Sequence, residues 1–134
     1  MRRLIPILVL PALLAAVAAC GDGGRRAAAT AAAVAMLRAV ADHDGEQACA
    51  LLAPQTAKAV AQEQEATCAD GVLKENLPAP GAEQDTQVYG QWAKVRLDHD
   101  TIFLATFPGG WRVVAAGCRP QEQDRPYDCT VSGR

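Results

Sequence analysis

The chain is short of aromatic side chains, histidine, clustered positive charge and closely spaced cysteines, and each shortage removes a class of function. Aromatics make up only 4% of it. All of them, Tyr89, Trp92, Phe103, Phe107, Trp111 and Tyr127, fall in the second half, so the bulky core material is C-terminal. Beyond the Arg25-Arg26 pair there is no basic stripe. That excludes nucleic acid as a partner, because phosphate binding needs clustered Lys and Arg. Cys49, Cys68, Cys118 and Cys129 are spaced by 19, 50 and 11. No close pair of the C-x₂₋₄-C kind exists for structural zinc, and no C-x-x-C for redox exchange. The longest apolar run, Leu4 to Ala19, is interrupted by Pro6 and Pro11. It falls short of the roughly 20 residues that a bilayer-spanning helix needs.

What is present begins with an address. Arg2-Arg3 followed by that apolar run and then small residues is the pattern of a secretion signal. Val17-Ala18-Ala19-Cys20 resembles the lipobox of bacterial lipoproteins. The resemblance implies a signal peptide over residues 1–19, cleavage before Cys20, and diacylglycerol on the Cys20 thiol. The expected location is the extracytoplasmic face of the cell membrane, where two or three acyl chains hold a protein stably. Gly21-Asp22-Gly23-Gly24 is rich in glycine, so residues 20–29 read as a flexible tether. Residues 30–134 then form a single domain.

Assigning Cys20 to lipid makes the remaining count even. An exported domain meets an oxidising environment, so Cys49, Cys68, Cys118 and Cys129 are expected in disulfides. Four cysteines allow three pairings. The preferred one is Cys49–Cys68 and Cys118–Cys129, which closes two short loops.

The first half of the domain reads as helix. Ala27 to Val40 is nearly all helix former, with Val34, Leu37 and Ala41 on one stripe. Asp44 is placed to cap a helix from Glu46 to Ala53, with Gln47 as its partner. Pro54 suits the first turn of a third helix running to Glu65, and Cys68 to Glu75 forms a short fourth. The period then changes. Gln87 to Tyr89 is a short strand, and Ala93, Val95 and Leu97 alternate with Lys94, Arg96 and Asp98. Thr101 to Phe107 and Trp111 to Cys118 follow, separated by turns. The expected fold class is α+β: N-terminal helices packed on a curved antiparallel meander of three to four strands. The tail from Arg119 is polar, with Tyr127-Asp128-Cys129 pinned by the expected disulfide.

Ala39 to Gly45, Ala48 to Leu52, Phe103-Leu104, Gly110 to Val113, Ala116 to Cys118 and Pro126 to Cys129 are similar to segments of small actinobacterial-type lipoproteins. More loosely they resemble nuclear-transport-factor-2-like domains, whose helices and sheet form a cone with a pocket. That likeness implies a fold but no activity, and no catalytic residue carries over. Within the chain, Trp92, Phe103, Phe107 and Trp111 are the candidates for lining a pocket. Asp42-His43-Asp44 and Asp98-His99-Asp100 contain both histidines. His43 and His99 are weak metal candidates, since Asp is common in turns for local hydrogen-bonding reasons. No cofactor is expected. The leading expectation is a lipid-anchored binding or accessory module for a small apolar ligand or an envelope protein. The alternative is a small enzyme working by acid–base chemistry inside a cone.

Overall fold

The computed structural model describes residues 21–133. The expected signal peptide, residues 1–19, and the expected lipid-bearing Cys20 lie outside the described residues. Four helices come first: α1 (Asp22–Ala41), α2 (Gly45–Ala50), α3 (Pro54–Gln64) and α4 (Cys68–Lys74). Five strands follow: β1 (Glu83–Tyr89), β2 (Trp92–Leu97), β3 (Thr101–Phe107), β4 (Gly110–Arg119) and β5 (Asp128–Ser132). They form one antiparallel sheet in chain order. The fold class is α+β, with one strand more than expected.

The largest correction concerns the expected tether. Residues 22–29 are not coil but the first two turns of α1. Three causes outweigh the cost of Gly23 and Gly24. Asp22 sits in the first turn, where a negative charge favours the helix dipole. The following run of alanines has the highest helix propensity. The Arg25 guanidinium donates to the Gly90 carbonyl and lies 5.6 Å from the centre of the Trp111 ring, so the helix start is pinned to the sheet. The buried stripe also differs from the expected one. Ala29, Ala33, Met36, Leu37 and Val40 face the core, while Val34 is half-buried and Ala41 exposed. Alanine on every side of α1 blurs the periodicity that would have marked the stripe.

Elsewhere the local chemistry works as read. Asp44 accepts from the Gln47 backbone N–H at 3.0 Å and caps α2. Pro54 opens α3, and Thr67 caps α4 through the Asp70 N–H at 3.1 Å. The helix expected to reach Ala53 stops at Ala50. Leu51 to Ala53 instead pairs with β4: the Val113 N–H donates to the Leu51 carbonyl at 2.8 Å, and the Ala53 N–H to the Val113 carbonyl at 2.7 Å. Gly45 lies so close to α4 that a Cβ there would sit 2.0 Å from the Ala69 oxygen.

Both disulfides join the preferred partners. Cys49–Cys68 ties α2 to α4, and Cys118–Cys129 crosses from β4 to its register partner on β5. The tail therefore contributes β5, which hydrophobic patterning did not announce because Val131 is its one fully buried residue. Likewise β1 is longer than expected. Only Thr86 is buried along its polar sequence, and its hydroxyl meets that of Thr30 on α1 at 2.7 Å.

The core lies between α1 and one sheet face. Met36, Leu37, Leu52, Val95, Ile102, Leu104 and Val113 fill it, each at most 1% exposed. Register places the other set of side chains on the opposite face. Trp92 pairs with Ala105, Lys94 with Phe103, and Arg96 with Thr101.

Candidate functional site

The cleft of most interest forms where β4 leaves regular pairing. Leu104 pairs with Val113, but Phe103 pairs with Ala115, so Val114 is the extra residue of a β-bulge. A bulge frees backbone groups and bends the strand. The freed Val114 carbonyl accepts the Thr56 hydroxyl at 2.8 Å. Thr56 is fully buried in the first turn of α3. That turn is delivered by the Leu51–Ala53 segment paired beside it. Residues 53–56 around the start of α3, Val114 at the bulge, Trp92, Phe107 and Gly133 line the cleft together. This open cleft has a volume of about 370 Å³, at the small end of the range roughly 300–1,000 Å³ typical of ligand sites.

The lining is chiefly apolar. Thr56 already spends its hydroxyl on Val114. Among the described residues no histidine or carboxylate lines the cleft. What it offers chemically is burial of apolar surface against an indole and a phenyl ring, with no group placed to move a proton.

The four aromatic candidates therefore separate. Trp92 and Phe107 share the cleft. Phe103 lies on the same sheet face but packs edge-on against Tyr127, ring centres 5.1 Å apart. Trp111 is opposite Thr106 in register, packs on the core and carries Arg25 above it. Thr56, Pro54 and Val114 were not singled out from sequence. The one available signal was the adjacent pair Val113-Val114, which disturbs strict alternation in its strand.

The two Asp-His-Asp tripeptides have local roles. His43 follows α1 with a positive φ of 58° and is exposed. His99 is exposed in the β2–β3 turn. Among the described residues no group of three His, Cys, Asp or Glu gathers in a way that could hold a metal ion. Asp98 accepts from the Ala82 N–H at 2.8 Å and from the Gln84 amide. Those bonds, the Ala82 one first, hold its carboxyl below the ordinary value.

Asp100 is the buried carboxylate, and it was read only as a turn residue. Its two oxygens accept the Gly117 and Cys118 N–H groups, both at 3.0 Å. Burial pushes its pKa up, and those two bonds and one from Thr101 oppose the shift. Gly117 has φ +64°, and a Cβ there would approach Thr130 to 2.8 Å. Asp100 thus fastens a second irregularity in β4, next to the Cys118–Cys129 bridge. Each of its oxygens is held by a backbone N–H.

Comparisons with protein-family models, with curated proteins and with solved structures find no match for this chain. Among the described residues no helix is long and apolar enough to cross a membrane.

Proposed function

We propose that this chain is a lipid-anchored, extracytoplasmic binding module that takes a small apolar ligand in the cleft between Trp92, Phe107 and the start of α3. The observation that carries the binding reading is the composition of that cleft. Its lining is chiefly apolar and aromatic, with the amide of Gln55 at its α3 edge, and the buried Thr56 hydroxyl is already satisfied. Such a site gains affinity from apolar surface removed from water.

The anchor reading draws support from valence. Cys49, Cys68, Cys118 and Cys129 pair with each other. An odd fifth cysteine, Cys20, directly follows small residues at the end of an apolar signal. Two disulfides also suit an oxidising compartment outside the cytoplasm. The space between α1 and the sheet is occupied by core side chains, so the ligand site proposed here lies beside the β4 bulge.

Two measurements test the reading. Intact-mass analysis of the membrane-extracted protein should give a chain starting at Cys20, carrying acyl groups and four fewer hydrogens than its thiol form. An unmodified Cys20 would remove the anchor. Separately, the extracted protein is titrated with the apolar fluorophore 1-aminoanthracene. Saturable binding that quenches Trp92, and falls at least tenfold in a Phe107→Asp variant of unchanged circular dichroism, is the expected result. Equal binding by that variant would overturn the cleft assignment.

A further inference from the structure

Burial leaves two large hydrophobic side chains of the described residues openly exposed: Tyr89 at 58% and Trp92 at 55%. They are not scattered. They are register partners on either side of the two-residue turn Gly90-Gln91, so they form one patch at the tip of the β1–β2 hairpin. Gly90, with φ +56°, meets the turn's need for a left-handed residue. The neighbouring β3–β4 turn belongs to the same end of the sheet, since the Thr106 N–H donates to the Gln91 carbonyl at 3.0 Å.

The start of α1 is fixed to that same tip. Arg25 donates to the Gly90 carbonyl, and five residues later Thr30 meets Thr86, further back along β1. The helix therefore begins at the hairpin tip and runs away from it. Cys20 precedes Asp22, the first helical residue, by two positions. Two residues span at most about 7 Å. Acyl chains on Cys20 would leave the domain beside Tyr89 and Trp92, with no long tether to let the domain turn. Charge agrees: segments 87–92 and 106–112 contain no Asp or Glu, and on the first turns of α1 Arg25 and Arg26 outnumber Asp22, with Arg26 exposed where anionic head groups attract it.

We propose that the β1–β2 hairpin tip is a membrane-docking surface: Tyr89 and Trp92 seat in the head-group region of the bilayer that holds Cys20, and fix the domain's orientation on it. Trp and Tyr favour this region because their rings are apolar while the N–H and O–H stay hydrated. The proposal rests on the lipid-anchor reading above.

The test uses the full mature protein in vesicles of phosphatidylcholine and phosphatidylglycerol, with and without phosphatidylcholine brominated near the head of its acyl chains. Bromine quenches indole only at close range. Trp92 emission should fall at least twofold, and Trp92→Phe should leave a residual Trp111 signal that bromine barely changes. Tyr89→Ser, outside the cleft lining, should cut the quenching of Trp92 by half or more. If mass analysis finds acyl groups and Trp92 is not quenched, docking is overturned while the anchor stands. If Cys20 is unmodified, quenching of Trp92 in added vesicles supports docking by the tip alone, and its absence overturns both. Quenching that survives Tyr89→Ser and disappears in Phe107→Asp would place a lipid chain in the cleft and overturn docking.

Discussion

Asp100 offers the sharpest check on how this fold is held, and on whether its buried carboxylate is free for chemistry. Replacing it with alanine removes both acceptors from the Gly117 and Cys118 N–H groups. Hydrogen bonds to a charged group contribute roughly 1.5–3 kcal/mol each, and a buried donor left alone costs about 1–3 kcal/mol. Against this stands the relief of no longer burying a charge. Asp100→Ala should therefore lower stability by about 2–4 kcal/mol. For a domain of this size that is a fall in Tm of roughly 8–16 °C. Asp100→Asn keeps one acceptor but sets its NH₂ group against a backbone N–H, so it should cost less than alanine yet stay above about 1 kcal/mol.

The pH dependence gives an independent reading with a defined sign. The folded pKa of Asp100 lies above 3.8 because burial disfavours its charge. Its protonated form is thus relatively stabilised in the fold, and its contribution grows as pH falls through the folded pKa and is complete below 3.8. The stability gap between the natural protein and Asp100→Asn should widen between pH 7 and pH 4. Asp98 acts oppositely: its lowered pKa gives stability that is lost as pH drops below 3.8. Urea denaturation with intact disulfides, repeated at several pH values, measures both. An Asp100→Ala variant within 0.5 kcal/mol of the parent (about a third of one such bond) would refute the bulge-anchor argument and reopen Asp100 as a functional acid.

Two further outcomes test the rest of the architecture. At Gly23 and Gly24 an added Cβ would meet nothing within 4 Å, so Gly23→Ala and Gly24→Ala should each stabilise by about 0.5 kcal/mol and raise helical circular dichroism; no change would mean that this stretch is not helix in solution. Replacing Cys49 and Cys68, or Cys118 and Cys129, by serine pairs should each cost about 3 kcal/mol by loop-closure entropy, read by thermal denaturation, with a loss under 1 kcal/mol speaking against that bridge.

The sequence was most legible where one residue type has one local use. Asp44 before Gln47, Pro54 at a first turn, and the alternation of Ala93, Val95 and Leu97 led directly to α2, α3 and β2. Thr101 to Phe107 was read with its observed bounds. It was least legible where tertiary contact overrides composition. Gly23 and Gly24 argue for coil, yet Arg25 reaches 65 residues along the chain to Gly90 and makes them helix. The segment Glu83-Gln84-Asp85 falls outside the expected strand, yet it lies along β2 as part of an edge strand. β5 owes its place to ladder pairing and a disulfide rather than to an apolar pattern. For the candidate site, two of four aromatics meet in the cleft. The bulge that brings Val114 to it depends on how β3 and β4 align, which local sequence does not encode.

The placement of the aromatics connects stability with function. None of the six belongs to the fully buried set, which consists of Met36, Leu37, Leu52, Ile102, Leu104, several valines and Thr56. Alanines at 29 and 33 let α1 approach the sheet closely, so thin side chains fill the gap that rings would otherwise occupy. Such a core buries less area per residue and stabilises less. The two disulfides add about 3 kcal/mol each. The rings are thereby left for surfaces: Tyr89 and Trp92 at the hairpin tip, Phe107 with Trp92 in the cleft, Phe103 with Tyr127 on the sheet face opposite the core. A fold that needed these rings to stay folded would not leave Trp92 more than half exposed. Trp92 borders both the tip and the cleft, so a ligand in the proposed site would lie at the end of the sheet where α1 starts.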